Sequence, residues 1–579
     1  MSNDKPTPKP APKPAVEVTE PVADTGSTDR ARRREAALRR LRKTNMSKRT
    51  AAALGATAVV AVAAVTAGGS LWAPPPPAMD TAAKAADLPA TPTLSVCPGA
   101  PVLPEGSDAG EDLDFSPVSS DAVTALAATA TSDLAGNIPG MSYFAAEPGS
   151  SSQPAGTEMT ESLDEDIQQG PPATAATDGT VTQRAHYEVI SEPDENGQPI
   201  VVATEPIGGS PGTAAASSQY AATDGDLAGM TAAACTSAAH QHWLTGAITT
   251  PGTTAVLTIT NPSATNSTVD LSVFDVDGRV EATGASGIVL APGQTHSMLV
   301  AGFAPRQESV AVQVSSSGGP VAADIQQHRL DGIVPAGVDT LQPANAGSSL
   351  VIPGVQIPDD ADEIADSSGL ENQTPMLHIA STGAAASATL TLRGPDGPVD
   401  LPAEASAVEL APGATTTVDL SGVEPGTYAV EIDADTNIVA SAASLSFNPA
   451  ADNEDATGNT AAVDTAYMPS TAPIRGETMV ALPSLADPES QLVLTSASDA
   501  TVSITPVDSD GQLGEASTQE LAADTAVTIE HDDAAAYLLE TGSNTVHAGV
   551  FVESSAGISA LPVNTVSATG SGLPVRLGY

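Results

Sequence analysis

Only two cysteines, Cys97 and Cys235, stand in the 579-residue chain. Both follow an apolar stretch, on the side of a membrane where the redox environment permits a disulfide, and no other thiol competes, so a bridge is favoured over two free thiols. It would close a loop worth on the order of 4 to 5 kcal/mol in the chain-entropy model. It would also fold residues 98–234 back onto the first regular β unit. His240 and His242 form an H-x-H pair, which in a strand puts both imidazoles on one face, as some metal sites require; no third ligand stands near, and two surface histidines are the simpler reading. Asp275-x-Asp277-Gly278 and Asp508-x-Asp510-Gly511 open like calcium loops. Neither continues to the later acidic ligand, and a tight turn already accounts for both glycines. The acidic run Asp359 to Asp366 could hold a weak calcium between domains, but reads more simply as a solvated linker. No nucleophile elbow, triad signature, framed carboxylate pair, P-loop or dinucleotide fingerprint is present. The sequence therefore predicts a non-enzymatic protein, and it assigns no catalytic residue, no metal-binding residue and no cofactor.

What must position these residues is set first by charge. Residues 1–49 hold 13 Lys or Arg against 6 acids, while the remainder holds 8 against 64. Such an acidic body has no basic stripe to neutralise phosphates, which argues against nucleic acid as a partner. Between the two parts, Thr50 to Trp72 is an uncharged run of 23 residues, mostly Ala and Val. As a helix rising about 1.5 Å per residue it spans roughly 34 Å, enough to cross a bilayer core. Arginines and lysines crowd its N-terminal side and only Lys84 follows soon after, so the positive-inside rule leaves the N-terminus in the cytoplasm. Cleavage as a signal peptide near Ala83-Lys84-Ala85 is the competing reading, weakened by the 49-residue approach.

Beyond about residue 243 the pattern repeats. An Asp-Gly pair between β-rich segments occurs at Asp277-Gly278, Asp396-Gly397 and Asp510-Gly511, spaced 119 and 114 residues apart. A turn follows each, as Leu290-Ala-Pro-Gly293, Leu410-Ala-Pro-Gly413 and, more loosely, Leu521-Ala-Ala-Asp524. About seven short alternating strands per repeat suit antiparallel sheets with one wet face, hence a mainly β chain of tandem immunoglobulin-like sandwiches. A β-propeller would repeat every 40 to 50 residues or so, a period the chain lacks. The expected organisation is a basic, largely disordered tail at 1–49, a transmembrane helix at 50–72 and a Pro-rich spacer at 73–95. An irregular acidic region with short strands follows at 96–242, then sandwiches at 243–348, 349–460 and 461–579.

The segment from Cys235 through His242-Trp243-Leu244-Thr245-Gly246, Leu257-Thr-Ile-Thr-Asn261-Pro262, Pro335-Ala336-Gly337-Val338-Asp339 and Val351-Ile-Pro-Gly354 resembles an uncharacterised actinobacterial family, a domain of unknown function. The resemblance implies one N-terminal membrane segment, a secreted β-rich body and residence in the cell envelope. It implies no activity. The expected function is that of a single-pass, membrane-anchored envelope protein presenting extracytoplasmic β-sandwiches for contact with an envelope protein or glycan. The alternative is an accessory subunit of a membrane-bound glycan-assembling enzyme.

Overall fold

The computed structural model describes residues 90–103, 118–170, 184–194, 196–367, 374–399, 401–402, 405–447, 462–530 and 534–564, all within one compact unit, Ala85–Leu573. The basic tail, the apolar segment 50–72 and nearly all of the spacer lie outside the described residues, as do residues 171–183 of the acidic region. Among the described residues no helix is long and apolar enough to cross a membrane.

The chain is mainly β, and its strands repeat one topology four times. In the clearest copy, residues 241–341, one sheet runs in the order Gln241–Ala247, Val310–Gly318, Ser267–Asp275, Gly278–Val280. The other runs Val334–Leu341, Ala322–Asp331, Thr253–Thr260, Gln294–Leu299. The last copy, residues 477–562, repeats this with Glu477–Ala481, Ala536–Glu540, Ala500–Val507 and Ser517–Leu521 against Gly557–Pro562, His547–Ser554, Glu489–Ser496 and Thr525–Ile529. Residues 346–469 follow the same order around Gly426–Phe447, a strand of 22 residues. Its first half pairs with Ala386–Gly394 and its second with Met376–Ser381, so one continuous strand serves both layers.

The fourth copy is the region expected to be irregular. Thr93–Cys97, Ile200–Thr204, Met141–Ala145 and Thr157–Thr160 form one of its sheets, and Gly229–Ala234, Ala214–Ala222, Val123–Thr131 and Ala185–Ser191 the other, in the same order as elsewhere. It is thus the first of four repeats, 93–234, 241–341, 346–469 and 477–562.

Apolar side chains fill the space between the two sheets of each repeat, for example Leu257, Leu271, Val312 and Ile325 in the second. Each large side chain so buried contributes roughly 1.5–3 kcal/mol. The outer faces are also covered. Trp243, Phe274 and Ala311 of the second repeat pack on Ala380 and Val439 of the third, and Ala429 of the third on Val493 and Ala526 of the fourth. Met479, Val507 and Leu538 of the fourth pack on Tyr187 and Ala215 of the first. Val96, Phe144 and Val201 of the first pack on Ala322 of the second, which closes the cycle.

The repeats therefore form a ring, and its closing strands line the axis. Gly229–Ala234 lies against Val334–Leu341, that against Val463–Pro469, that against Gly557–Pro562, and the last against the first again. All eight residues of Val334–Leu341 and all seven of Val463–Pro469 are buried. Strands covered on both faces and crowded at an axis need small side chains, which accounts for the wealth of Ala, Gly, Ser and Thr. The ring shares a propeller's closure without its blade topology, because the strands of each sheet do not follow one another in chain order.

Between the second and third repeats the two repeated sequence motifs interlock. Asp275 pairs with Gly278 around a two-residue loop, and this hairpin sits on the Leu410-Ala-Pro-Gly413 turn of the next repeat. A Cβ on Gly278 would stand 3.2 Å from the Pro412 carbonyl oxygen, and one on Gly413 3.2 Å from the Phe274 ring. Both glycines have positive φ, 118° and 71°, so a larger residue would be strained as well as crowded. At the third turn Asp524 takes that conformation, with φ 58°, as short polar residues tolerate.

Candidate functional site at the ring axis

The four closing strands meet at the axis, where Asp339, Asp464 and Ser559 are each buried. Asp464 is the centre of this group. Its Oδ1 accepts the N–H of Val338 at 3.0 Å and of Thr465 at 2.9 Å, and its Oδ2 the N–H of Met230 at 3.1 Å and of Ile558 at 3.0 Å. One carboxylate so ties the first, second and fourth repeats to the third. Asp339 Oδ2 accepts the Tyr467 N–H at 2.6 Å and its Oδ1 the Ser559 hydroxyl at 2.8 Å, while that hydroxyl accepts the Ala232 N–H at 2.8 Å. Glycine backbones make room: Gly229 and Gly557 have φ of 145° and 146°, and a Cβ on either would press into the Asp464 carboxylate.

Burial raises both carboxyls, Asp464 to about 7 and Asp339 well above its ordinary range, with the charge of Asp464 adding to the latter. Main-chain hydrogen bonds pull each back toward the ionised form. Burial likewise holds the ring of His378 down at about 4 and lifts the Tyr467 hydroxyl to about 12. These groups are engaged by the protein itself, so the axial cluster acts as a clasp.

A cavity of about 240 Å³ opens where the closing strands end, lined by Cys235, His242, Asn345, Ser470 and Asn564 among others. Residues just past the ends of all four closing strands line this mouth. Strand Thr93–Cys97 runs antiparallel to Thr236–Ser237, so its first residues lie at the same end as the mouth.

Cys97 and Cys235 form a disulfide. It joins the opening strand of the first repeat to the end of its closing strand, closing that repeat on itself instead of holding residues 98–234 onto the next. The two histidines separate: His240 bonds the Ser316 hydroxyl at 3.2 Å on the surface, whereas His242 is buried and donates from Nε2 to the Val321 carbonyl at 2.7 Å. His240 also precedes strand Gln241–Ala247, so the expected same-face pair does not form. Asp275 and Asp508 serve the turns, accepting the N–H of Asp277 at 2.9 Å and of Gln512 at 2.7 Å. The run Asp359 to Asp366 leads into the short helix Ala361–Ser367, anchored by buried Ile364 beside Leu445 and Val463. Among the described residues no group of three or more His, Cys, Asp or Glu could hold a metal ion.

Sequence reasoning passed over Asp339 and Asp464. The available signal was Val-Asp-Thr, present at 338–340 and again at 463–465.

Residues 189–532, more than half of the chain, match a family of unknown function, DUF5719, and the chain belongs to that family. The match begins in strand Ala185–Ser191 of the first repeat and ends just past Thr525–Ile529 of the fourth. No curated protein matches. Among solved structures, a biofilm-associated protein BSP domain is similar at 9% identity, with 83% of this chain and 98% of that one covered and a TM-score of 0.13. The pilus adhesin SpaC from Lactobacillus rhamnosus GG is similar at 12% identity, over 55% and 37% of the two chains, with a TM-score of 0.09. Superpositions this poor carry no argument about fold or function.

Proposed function

We propose that the chain is a single-pass cell-envelope protein whose β ring, built from immunoglobulin-like sandwiches, is held outside the membrane to contact a protein or glycan. The observation that carries this reading is the placement of the chain's entry. Strand Thr93–Cys97 begins at the mouth end, so a chain arriving from the apolar segment 50–72 would tether the ring there. The basic flank and the acidic body suit opposite sides of such a membrane. The test is a pair of reporter fusions, one active only inside placed before residue 30, one active only outside placed in the 73–89 spacer. Activity of both supports the tether, and a mature protein beginning at Ala86 contradicts it. Cross-linking in intact cells then asks what the ring touches, with envelope proteins or glycans the expected capture and cytoplasmic proteins the contrary one.

A further inference from the structure

The edge of one sheet shows how such a contact is made. In the second repeat the outer edge of Gln294–Leu299 is covered by two residues from the first repeat. Glu147 and Pro148 add there as a parallel strand, opposite Gln294 and Thr295, and the Glu147 N–H donates to the Gly293 carbonyl at 3.1 Å. The same edge recurs in the third repeat as Thr415–Asp419, after the same turn, since Leu-Ala-Pro-Gly-Gln-Thr at 290–295 corresponds to Leu-Ala-Pro-Gly-Ala-Thr at 410–415. Here the preceding repeat adds no strand, because its hairpin loop is only Val276 and Asp277. Thr415–Asp419 pairs with Met376–Ser381 on one side, and among the described residues with no strand on the other.

In place of a strand, a cleft of about 400 Å³ runs beside Thr415, Thr416 and Thr417, walled by Val276 and by Arg306 to Ser309. That wall is fixed. Arg306 and Gln307 donate their N–H groups to the Thr249 carbonyl and hydroxyl at 3.0 and 2.9 Å, and the Thr415 hydroxyl donates to the Ser309 carbonyl at 2.9 Å. Arg306 itself is held at φ 59°, a strained conformation of the kind found at binding sites. Residues 415–418 carry no charge or proline to block pairing, the usual guards of an exposed edge.

We propose that Thr415–Asp419 receives an extended peptide segment of a partner protein, added as a parallel strand the way Glu147–Pro148 is added one repeat earlier. This rests on the reading of the ring as a contact module and makes its partner a polypeptide. Affinity would come from main-chain hydrogen bonds and selectivity from the cleft.

The test uses the full chain and a synthetic peptide of residues 143–152, whose sequence already lies along the equivalent edge. Amide hydrogen exchange is followed with and without peptide, and again with the peptide N-methylated at its Glu147 nitrogen. The expected result is slowed exchange confined to the edge-facing amides of Thr415, Thr417 and Asp419, with about tenfold weaker binding after methylation. Slowing elsewhere, no binding, or binding indifferent to methylation overturns the proposal. Protection of the edge-facing amides of Thr415, Thr417 and Asp419 before any peptide is added also overturns it, by showing that another segment of this chain occupies the edge. A Thr417→Pro variant, which removes an N–H that faces the open edge, should lose the peptide while keeping its melting temperature. None of these outcomes alters the reporter result that tests the tether, so the two readings fail separately.

Discussion

The Asp464 carboxylate accepts the backbone N–H of Ile558 at 3.0 Å, reaching from the third repeat to the last strand of the fourth. The same oxygen takes the N–H of Met230, 234 residues earlier in the chain. A single side chain thus closes a cycle that begins and ends far apart in sequence. Four N–H donors to one buried carboxylate make it costly to remove, since each donor left unpaired costs about 1–3 kcal/mol.

Asp324 predicts a pH dependence. Burial lifts its carboxyl from 3.8 to about 7, so between those values the unfolded chain ionises while the folded one keeps its proton. The stability associated with the raised value is fully present below pH 4 and is lost as pH rises through 7, by roughly 3 to 4 kcal/mol. Asp324→Asn removes this loss. Urea titrations should show the variant gaining on the wild type from pH 4 to pH 8. The buried His378, held at about 4, has the opposite slope below 6.5, but it is present in both proteins and cancels. A constant gap between them would contradict the account.

Arg393 joins the third and fourth repeats. Its buried guanidinium lies 2.6 Å from Glu431 and 3.1 Å from Asp524. Arg393→Met should lower stability by about 2 kcal/mol, less than a fully buried pair costs, because both carboxylates are partly exposed and can regain water. Adding Glu431→Gln and Asp524→Asn should recover part of the loss by denaturant titration. Full additivity of the three changes would mean the groups do not act together.

Much of this was legible and some was not, for a physical reason. Asp277-Gly278 and Leu290-Ala-Pro-Gly293 marked turns, and turns announce themselves by the φ values they require. Their docking on one another was not visible, since contact between repeats leaves no local pattern. The first repeat was missed because Val123–Thr131 and Gly229–Ala234 are Ala-rich and buried on both faces, so they lack the alternation by which a half-wet strand is recognised. Its acidic excursion, residues 147–177, hid the spacing further. The bridge between Cys97 and Cys235 was legible from cysteine usage alone, though not which repeat it closes.

That bridge predicts a long-range effect. Ala221, Met230 and Ala232 of the first repeat belong to the core of the fourth. Cys235→Ala should therefore lower the melting temperature, by loosening a loop whose closure is worth about 4 to 5 kcal/mol, and it should also raise proteolytic sensitivity in residues 477–562. Cleavage increased only within residues 98–234 would show that the first repeat stands apart.

Closure of the four repeats through Asp464 is tested most directly by amide hydrogen exchange of the axial strands in Asp464→Ala. The account predicts that Gly229–Ala234, Val334–Leu341, Val463–Pro469 and Gly557–Pro562 all exchange faster, and that Gly557→Ala, which sets a methyl against the same carboxylate, reproduces the pattern. Faster exchange confined to Val463–Pro469, with the other three strands unchanged, would contradict it.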